Sequence, residues 1–206
     1  MCKVLIINAS ARTERSLSRQ LTGIFTANWI KKHPNDSITY RNIGQEEIPH
    51  VTEKWIAAAF KPADLRGDED EQVLKISNQL IAELKDADII VLGTPMYNWS
   101  VPSVLKAYID QVLRVNETVL VNKMTPEDPY TGLLNDKKVY LLMVRGNAGY
   151  DAGEFYEHMD FQTNYLKTVF RIMGVEDIEY VSANGADIGE SSWETAIEKI
   201  KKLIYN

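Results

Sequence analysis

Three short apolar runs recur along the chain with amphipathic stretches between them: "KVLIINA" (3–9), "ADIIVLGT" (87–94) and "KKVYLLMVRG" (137–146). None alternates apolar with polar residues as a half-exposed strand does, so each reads as a strand covered on both faces. Such strands require a parallel sheet with helices on either side. Residues 16–32 carry Leu17, Leu21, Ile24, Phe25 and Trp29 at helical spacing, and residues 69–85 do so through Val73, Ile76, Leu80 and Leu84. Pro102 suits the first turn of a further helix, which presents Val104, Leu105, Tyr108, Ile109, Val112 and Leu113 on one face. A helix is expected over about 155–173, and another opens on Ser191 with Glu194 as a capping box. "SITYRNI" (37–43) and "IEYVSA" (178–183) read as the remaining strands. Two excursions interrupt the pattern. One spans 44–68, with a short helix at "TEKWIAAAF"; the other is the polar stretch 114–136, with Pro126 and Pro129.

Alternation of this kind predicts an α/β fold with a five-stranded parallel sheet and helices on both faces. Rossmann-type and flavodoxin-type windings share its opening. Five strands with helices of this length favour the flavodoxin-like three-layer sandwich of order 2-1-3-4-5, built as a single domain over 1–206. A ligand then sits beyond the carboxyl ends of the strands, where loops 9–18, 94–101 and 144–152 meet. A net charge of −6 argues against a nucleic-acid or anionic-membrane partner. The single cysteine, Cys2, rules out an intramolecular disulfide and a cysteine-based zinc site, and no metal cluster is apparent. No run reaches the ~18 apolar residues of a membrane span, and the first run is too short for a signal peptide. The expectation is a cytoplasmic protein.

The first loop, "ASARTERSLS", has no glycine, so it matches neither G-x-G-x-x-G nor the Walker pattern. It offers the hydroxyls of Ser10, Thr13, Ser16 and Ser18 at a helix N-terminus, a combination that binds a phosphate monoester without a metal. Ser16 serves equally as a plain N-cap, with the others as polar loop residues. Arg12 and Arg15 add positive charge at the same mouth, as phosphate partners or as solvated side chains.

The second loop, "TPMYNWSVPS", puts Met96, Tyr97, Asn98 and Trp99 between Pro95 and Pro102, where turns usually hold small polar residues. Either these side chains pack beneath the 114–136 excursion, or they form a flat wall with amide groups for the polar edge of a heterocycle. The third loop, "VRGNAGYDAG", has Gly146, Gly149 and Gly153 for close backbone approach, and Arg145 as a cation for charge on a bound ring. His33, His50 and His158 lie outside these loops; His158, the nearest, reads as a helix surface residue.

"PMYNWSVPSVLKAYIDQV" (95–112) resembles the P-M-Y-N-[FW]-x-[IV]-P-x-x-L-K-x-[YW]-[IFL]-D signature of the FMN-dependent NAD(P)H azoreductases and quinone reductases, within the flavodoxin-like superfamily. "KVLIINAS", the pair Ser16 and Ser18, and "GLLNDKKVYLLMVRG" (132–146) are similar as well, so the resemblance runs from residue 1 to about 182. It implies that Ser10, Ser16, the Leu17 backbone and Ser18 hold the FMN phosphate. Pro95, Met96, Tyr97, Asn98 and Trp99 would line the isoalloxazine, and Arg145, Gly146 and Asn147 would border its pyrimidine side. Asn98 and Arg145 are the candidates for tuning the flavin.

The resemblance further implies two-electron ping-pong hydride transfer from NADH or NADPH to quinones, azo compounds or nitroaromatics, with no acid–base side chain required. It also implies a homodimer with the flavin near the interface. Two departures stand out. Asn147 occupies a position that is usually glycine, and "NETVLVNKMTPEDPYTG" (116–132) is longer than usual and poor in aromatics. Two other readings fit the same fold: a one-electron carrier serving a protein partner, and a non-enzymatic binding or regulatory protein.

Overall fold

The computed structural model describes residues 1–122, 124–185 and 190–205, without the side chains of 190 and 191. In chain order its elements are β1 (Lys3–Asn8), α1 (Leu17–Lys32), β2 (Ser37–Arg41), α2 (Glu53–Phe60), α3 (Asp68–Asp86), β3 (Ile89–Pro95) and α4 (Ser103–Val112). There follow β4 (Val119–Val121), β5 (Tyr130–Gly132), β6 (Lys138–Val144), α5 (Thr163–Ile172), β7 (Asp177–Ala183) and α6 (Glu190–Tyr205). Five strands form one parallel sheet in the order β2-β1-β3-β6-β7. Counted among themselves, these five run 2-1-3-4-5, the expected winding.

The apolar runs fall in the middle of this sheet because successive side chains of a strand face opposite ways. Leu5 and Ile7 of β1 join Ile90, Leu92, Leu141 and Met143 in a core closed by Leu80, Leu105, Ile109, Leu166 and Phe170 of α3, α4 and α5. Val4 and Ile6, one residue out of phase, join Val91, Tyr140 and Leu142 against Leu21, Phe25, Ala196 and Ile200 of α1 and α6. Both alternations are buried, so no polar period is visible in the sequence.

The 44–68 excursion is pinned to α4 through Gln111. The Trp55 indole donates to Gln111 Oε1 at 2.9 Å, and Gln111 Nε2 donates to the Pro49 carbonyl at 2.8 Å. The 114–136 excursion contains an antiparallel hairpin, β4 with β5, that was not expected. The helix expected over 155–173 is shorter: α5 begins at Thr163, after a single 3₁₀ turn at Glu157–Met159. Asp160 sets the new start, because its Oδ1 accepts the N–H groups of Gln162 and Thr163 at 3.0 and 2.9 Å. The capping box expected at Ser191 involves a side chain outside the described residues. Among the described residues no helix is long and apolar enough to cross a membrane.

Candidate functional site

The register of the sheet brings the three loops together. Asn8 pairs with Gly93 and Pro95 with Val144, so β1, β3 and β6 end side by side. Ala9 donates to the Gly93 carbonyl at 2.9 Å and Met96 to that of Val144 at 2.8 Å, which carries the ladder into the loops. Between them lies a pocket of about 170 Å³. The first loop lines it with Ser10, Arg12, Arg15, Ser16, Leu17 and Ser18; Pro95, Met96 and Tyr97 line it from the second loop, and Val144 and Gly146 from the end of β6.

At the first-loop side, Ser16 is the N-cap of α1 and accepts the Arg19 N–H at 3.3 Å. Its hydroxyl also lies 3.3 Å from that of Ser18. Leu17 and Ser18 stand in the first turn, where an N–H has no intrahelical acceptor and the helix dipole favours an anion. Three buried hydroxyls, two free N–H groups and two exposed arginines thus meet, and among the described residues no carboxylate joins the lining. This donor set fits a phosphate monoester dianion.

The loop is held by residues that its own sequence does not reveal. Arg19 donates through Nε to the Arg12 carbonyl at 3.1 Å, and through its two other nitrogens to Asn42 Oδ1 at 2.8 Å and the Ser10 carbonyl at 3.3 Å. Burial pulls the Arg19 guanidinium below its ordinary pKa, but an arginine remains a cation throughout the working range. Asn8 links the strand to both neighbours, donating to Asn42 Oδ1 at 3.0 Å and accepting the Thr22 hydroxyl at 2.8 Å. Gly44 sits directly under the loop: a Cβ there would lie 2.0 Å from the Ser10 carbonyl oxygen.

The second loop is a two-residue hairpin. Tyr97 and Ser100 exchange backbone bonds of 2.9 and 3.0 Å, and Asn98 and Trp99 between them have φ of 48° and 65°. Two successive left-handed residues make a type I′ turn, for which asparagine is common and tryptophan is not. A bulky residue held there costs about 1–3 kcal/mol, and such strain persists where the surroundings impose it. Tyr97 is 37% exposed and Trp99 47% exposed. Neither side chain is buried: Tyr97 lines the pocket and Trp99 stands half exposed on the adjoining turn.

The third loop contributes Gly146, while Asn147 and Arg145 stay out of the lining. Asn147 does not take up a left-handed conformation; the positive φ values of this loop fall on Gly149 and Gly153. Arg145 departs from its expected role as a free cation toward a bound ring. Its guanidinium is 1% exposed and donates to Asp151 at 2.9 Å, Asp160 at 2.7 Å and Thr163 at 2.5 Å. Two carboxylates surround one guanidinium, so its charge is neutralised where it lies. Ser10, Ser16, Leu17, Ser18, Pro95, Met96, Tyr97 and Gly146 are therefore gathered in one pocket, with Asn98 and Trp99 on the adjoining turn. His158 lies apart, in a separate surface cleft with Glu154, Glu157 and Phe161.

A family model described as a flavodoxin-like fold matches residues 2–204. The chain is 43% identical over 202 residues to FMN-dependent NADH:quinone oxidoreductase 1 of Trichormus variabilis, covering 98% of this chain and 93% of that protein. It is 38% identical over 198 residues to FMN-dependent NADH:quinone oxidoreductase of Nostoc punctiforme, covering 96% and 94%. Among solved structures, an azoreductase from Bacillus anthracis superposes with a TM-score of 0.87 at 27% identity, covering 99% of each chain. With the sheet order and a family match that runs almost from end to end, the chain belongs to the flavodoxin-like fold family.

Proposed function

We propose that this chain is an FMN-dependent NADH:quinone oxidoreductase that also reduces azo compounds. In this reading it works as one unit over 1–206, in the cytoplasm, as a homodimer with the flavin near the interface. The observation that carries the reading is a pocket lined, among the described residues, by hydroxyls and arginines without a carboxylate, adjoining a strained aromatic turn. Relatives named for this activity, at 38–43% identity over nearly their full length, support it. FMN, when bound, supplies the two-electron chemistry that links a nicotinamide donor to a quinone or azo acceptor.

The chain's own residues bind, orient and shield. Ser10, Ser16 and Ser18 donate hydroxyls to the phosphate, Leu17 and Ser18 donate N–H groups, and Arg12 and Arg15 balance its charge. Met96, Tyr97 and Trp99 form the wall for the ring. The Asn98 amide and the N–H groups of Asn98 and Trp99, which the Tyr97–Ser100 bonds leave unused, are the donors available to its polar edge. Arg145 acts indirectly, through the loop it braces.

Because the phosphate is the best-supported contact, comparing FMN with riboflavin tests the reading. Two charge-assisted hydrogen bonds at about 1.5–3 kcal/mol each give FMN an advantage of at least ~100-fold. Fluorescence titration of the apoprotein is expected to show that gap. Equal affinity for the two flavins, or binding of neither, would contradict it.

A further inference from the structure

The 95–99 turn is tied to the residues just before α5. Phe161 donates its N–H to the Trp99 carbonyl at 3.1 Å, and the Gln162 side chain donates through Nε2 to the Pro95 carbonyl at 2.8 Å. The two bonds grip the turn at its base and at its apex. The Thr94 hydroxyl reaches the same Pro95 oxygen at 3.1 Å.

Gln162 is wholly buried and has little freedom to move. Its own N–H is tied to Asp160 Oδ1, while Asp160 Oδ2 takes the Arg145 guanidinium. Its Oε1 has no hydrogen-bond partner among the described residues. A flipped amide would set that oxygen against the Pro95 carbonyl, so the donating orientation is the one the site enforces. A buried amide that leaves one acceptor unmet is costly, and it persists where its other half serves a purpose.

We infer that Gln162 is a positioning residue for the ligand wall, holding the 95–99 turn and its left-handed Trp99 in place before any ligand arrives. Trp99 is half exposed, so its own packing cannot offset the strain of its backbone. The ties from Phe161 and Gln162 supply what packing does not. A wall ordered in advance binds more tightly, because no loop-ordering cost is subtracted on association. The inference rests on the proposed flavin reading for its ligand arm only; the clamping of the turn stands on geometry.

Gln162→Met removes both the donor and the unmet acceptor at nearly constant volume. Gln111→Met is the control for losing a buried amide outside the pocket lining: it deletes a donor to the Pro49 carbonyl and, unlike Gln162→Met, also the acceptor of the Trp55 indole. Two readouts are taken on the full chain: amide hydrogen exchange of the apoprotein, and FMN titration. Gln162→Met is expected to speed exchange at Tyr97, Ser100 and Phe161 by about fivefold or more, and to weaken FMN binding about five- to tenfold. Gln111→Met is expected to leave both within twofold while lowering the melting temperature.

Unchanged exchange at those three amides in folded Gln162→Met overturns the inference, as does equal FMN loss in the two variants. If Gln162→Met does not fold, Gln162→Asn, which withdraws the amide from Pro95, takes its place: faster exchange at the same three amides supports the clamp, and unchanged exchange overturns it. If the wild type takes up no FMN, the flavin reading fails, and the exchange arm still decides the clamp.

Discussion

Gly44 gives the most direct handle on the proposed phosphate loop, because it braces the Ser10 backbone without lining the pocket itself. A Cβ there would lie 2.0 Å from the Ser10 carbonyl oxygen and 2.4 Å from its carbon, whereas ordinary contact begins at 3.4 Å. Gly44→Ala therefore pushes the loop back by about 1.4 Å, the difference between 3.4 and 2.0 Å. Both obstructing atoms are backbone, so no rotamer change relieves the clash. The Arg19 bond to the Ser10 carbonyl, already 3.3 Å long, breaks, and the Ser10 hydroxyl leaves hydrogen-bond range of a phosphate. Losing one or two charge-assisted bonds costs about 2–5 kcal/mol, or roughly 30-fold to a few thousand-fold in the FMN dissociation constant. Fluorescence titration of apoprotein, with a thermal melt alongside, measures the effect. Gly23→Ala is the contrast: an added Cβ on α1 meets nothing within 4 Å. It should raise stability by about 0.5–1 kcal/mol and leave FMN affinity alone. Folded Gly44→Ala that binds FMN within threefold of wild type would refute the role assigned to this loop.

Three further outcomes follow from the geometry. Trp99→Gly relieves the left-handed strain at φ 65° and so raises the apoprotein melting temperature by a few degrees, while loss of the wall weakens FMN by about two- to tenfold; a lower melting temperature with intact affinity would speak against both halves. Arg145→Met strands the Asp160 carboxylate, only 9% exposed, and should cost about 3–5 kcal/mol in urea unfolding, whereas a free flavin-facing cation would leave stability unchanged. The Cys2 thiol is pushed up to about 11 from 9.0 by partial burial and by Asp88 and Asp36. Because the folded-state pKa is the higher one, the protonated thiol favours the folded state below pH 9, and this contribution fades between pH 9 and 11. Iodoacetamide at pH 8 should therefore label Cys2 about tenfold more slowly in native protein than in urea, the smaller thiolate fraction being partly offset by the greater nucleophilicity of a higher-pKa thiolate, and equal rates would contradict the shift.

The central strands were legible because burial on both faces leaves continuous apolar runs such as Val4 to Ile7. Such a run is not unique to strands, as Trp55 to Phe60 of α2 shows, and it was the alternation with helical segments that decided the reading. Hairpin β4–β5 left no such mark. Its strands are three residues each, and Leu120, Val121 and Tyr130 are exposed, so no core face imposes a period. The start of α5 was misplaced for a local reason: apolar residues from Phe155 onward keep a helical spacing, but the Asp160 carboxylate captures the N–H groups that a continuous helix would use.

At the site, aromatics in the turn after β3 are an unusual choice and exposed that loop, whereas hydroxyls before α1 are ordinary capping and loop residues and pointed to an anion only through their number. The destination of Arg145 was not visible, since one arginine in a loop does not say whether it meets ligand or the carboxylates six and fifteen residues onward. The supports from Arg19, Asn42 and Gly44 depend on packing between α1 and the end of β2, which no single stretch of sequence displays.

The central claim is that this pocket and wall hold a flavin that passes two electrons from NADH to a quinone. Anaerobic double-mixing stopped-flow of the FMN-loaded chain tests it most directly, with NADH in the first mix and benzoquinone or an azo dye in the second. The account predicts that the bound flavin bleaches with NADH and recovers its oxidised spectrum on meeting the acceptor, with no nicotinamide needed in the second step. A bound flavin that NADH leaves coloured, or that bleaches but is not recovered by either acceptor, would contradict it.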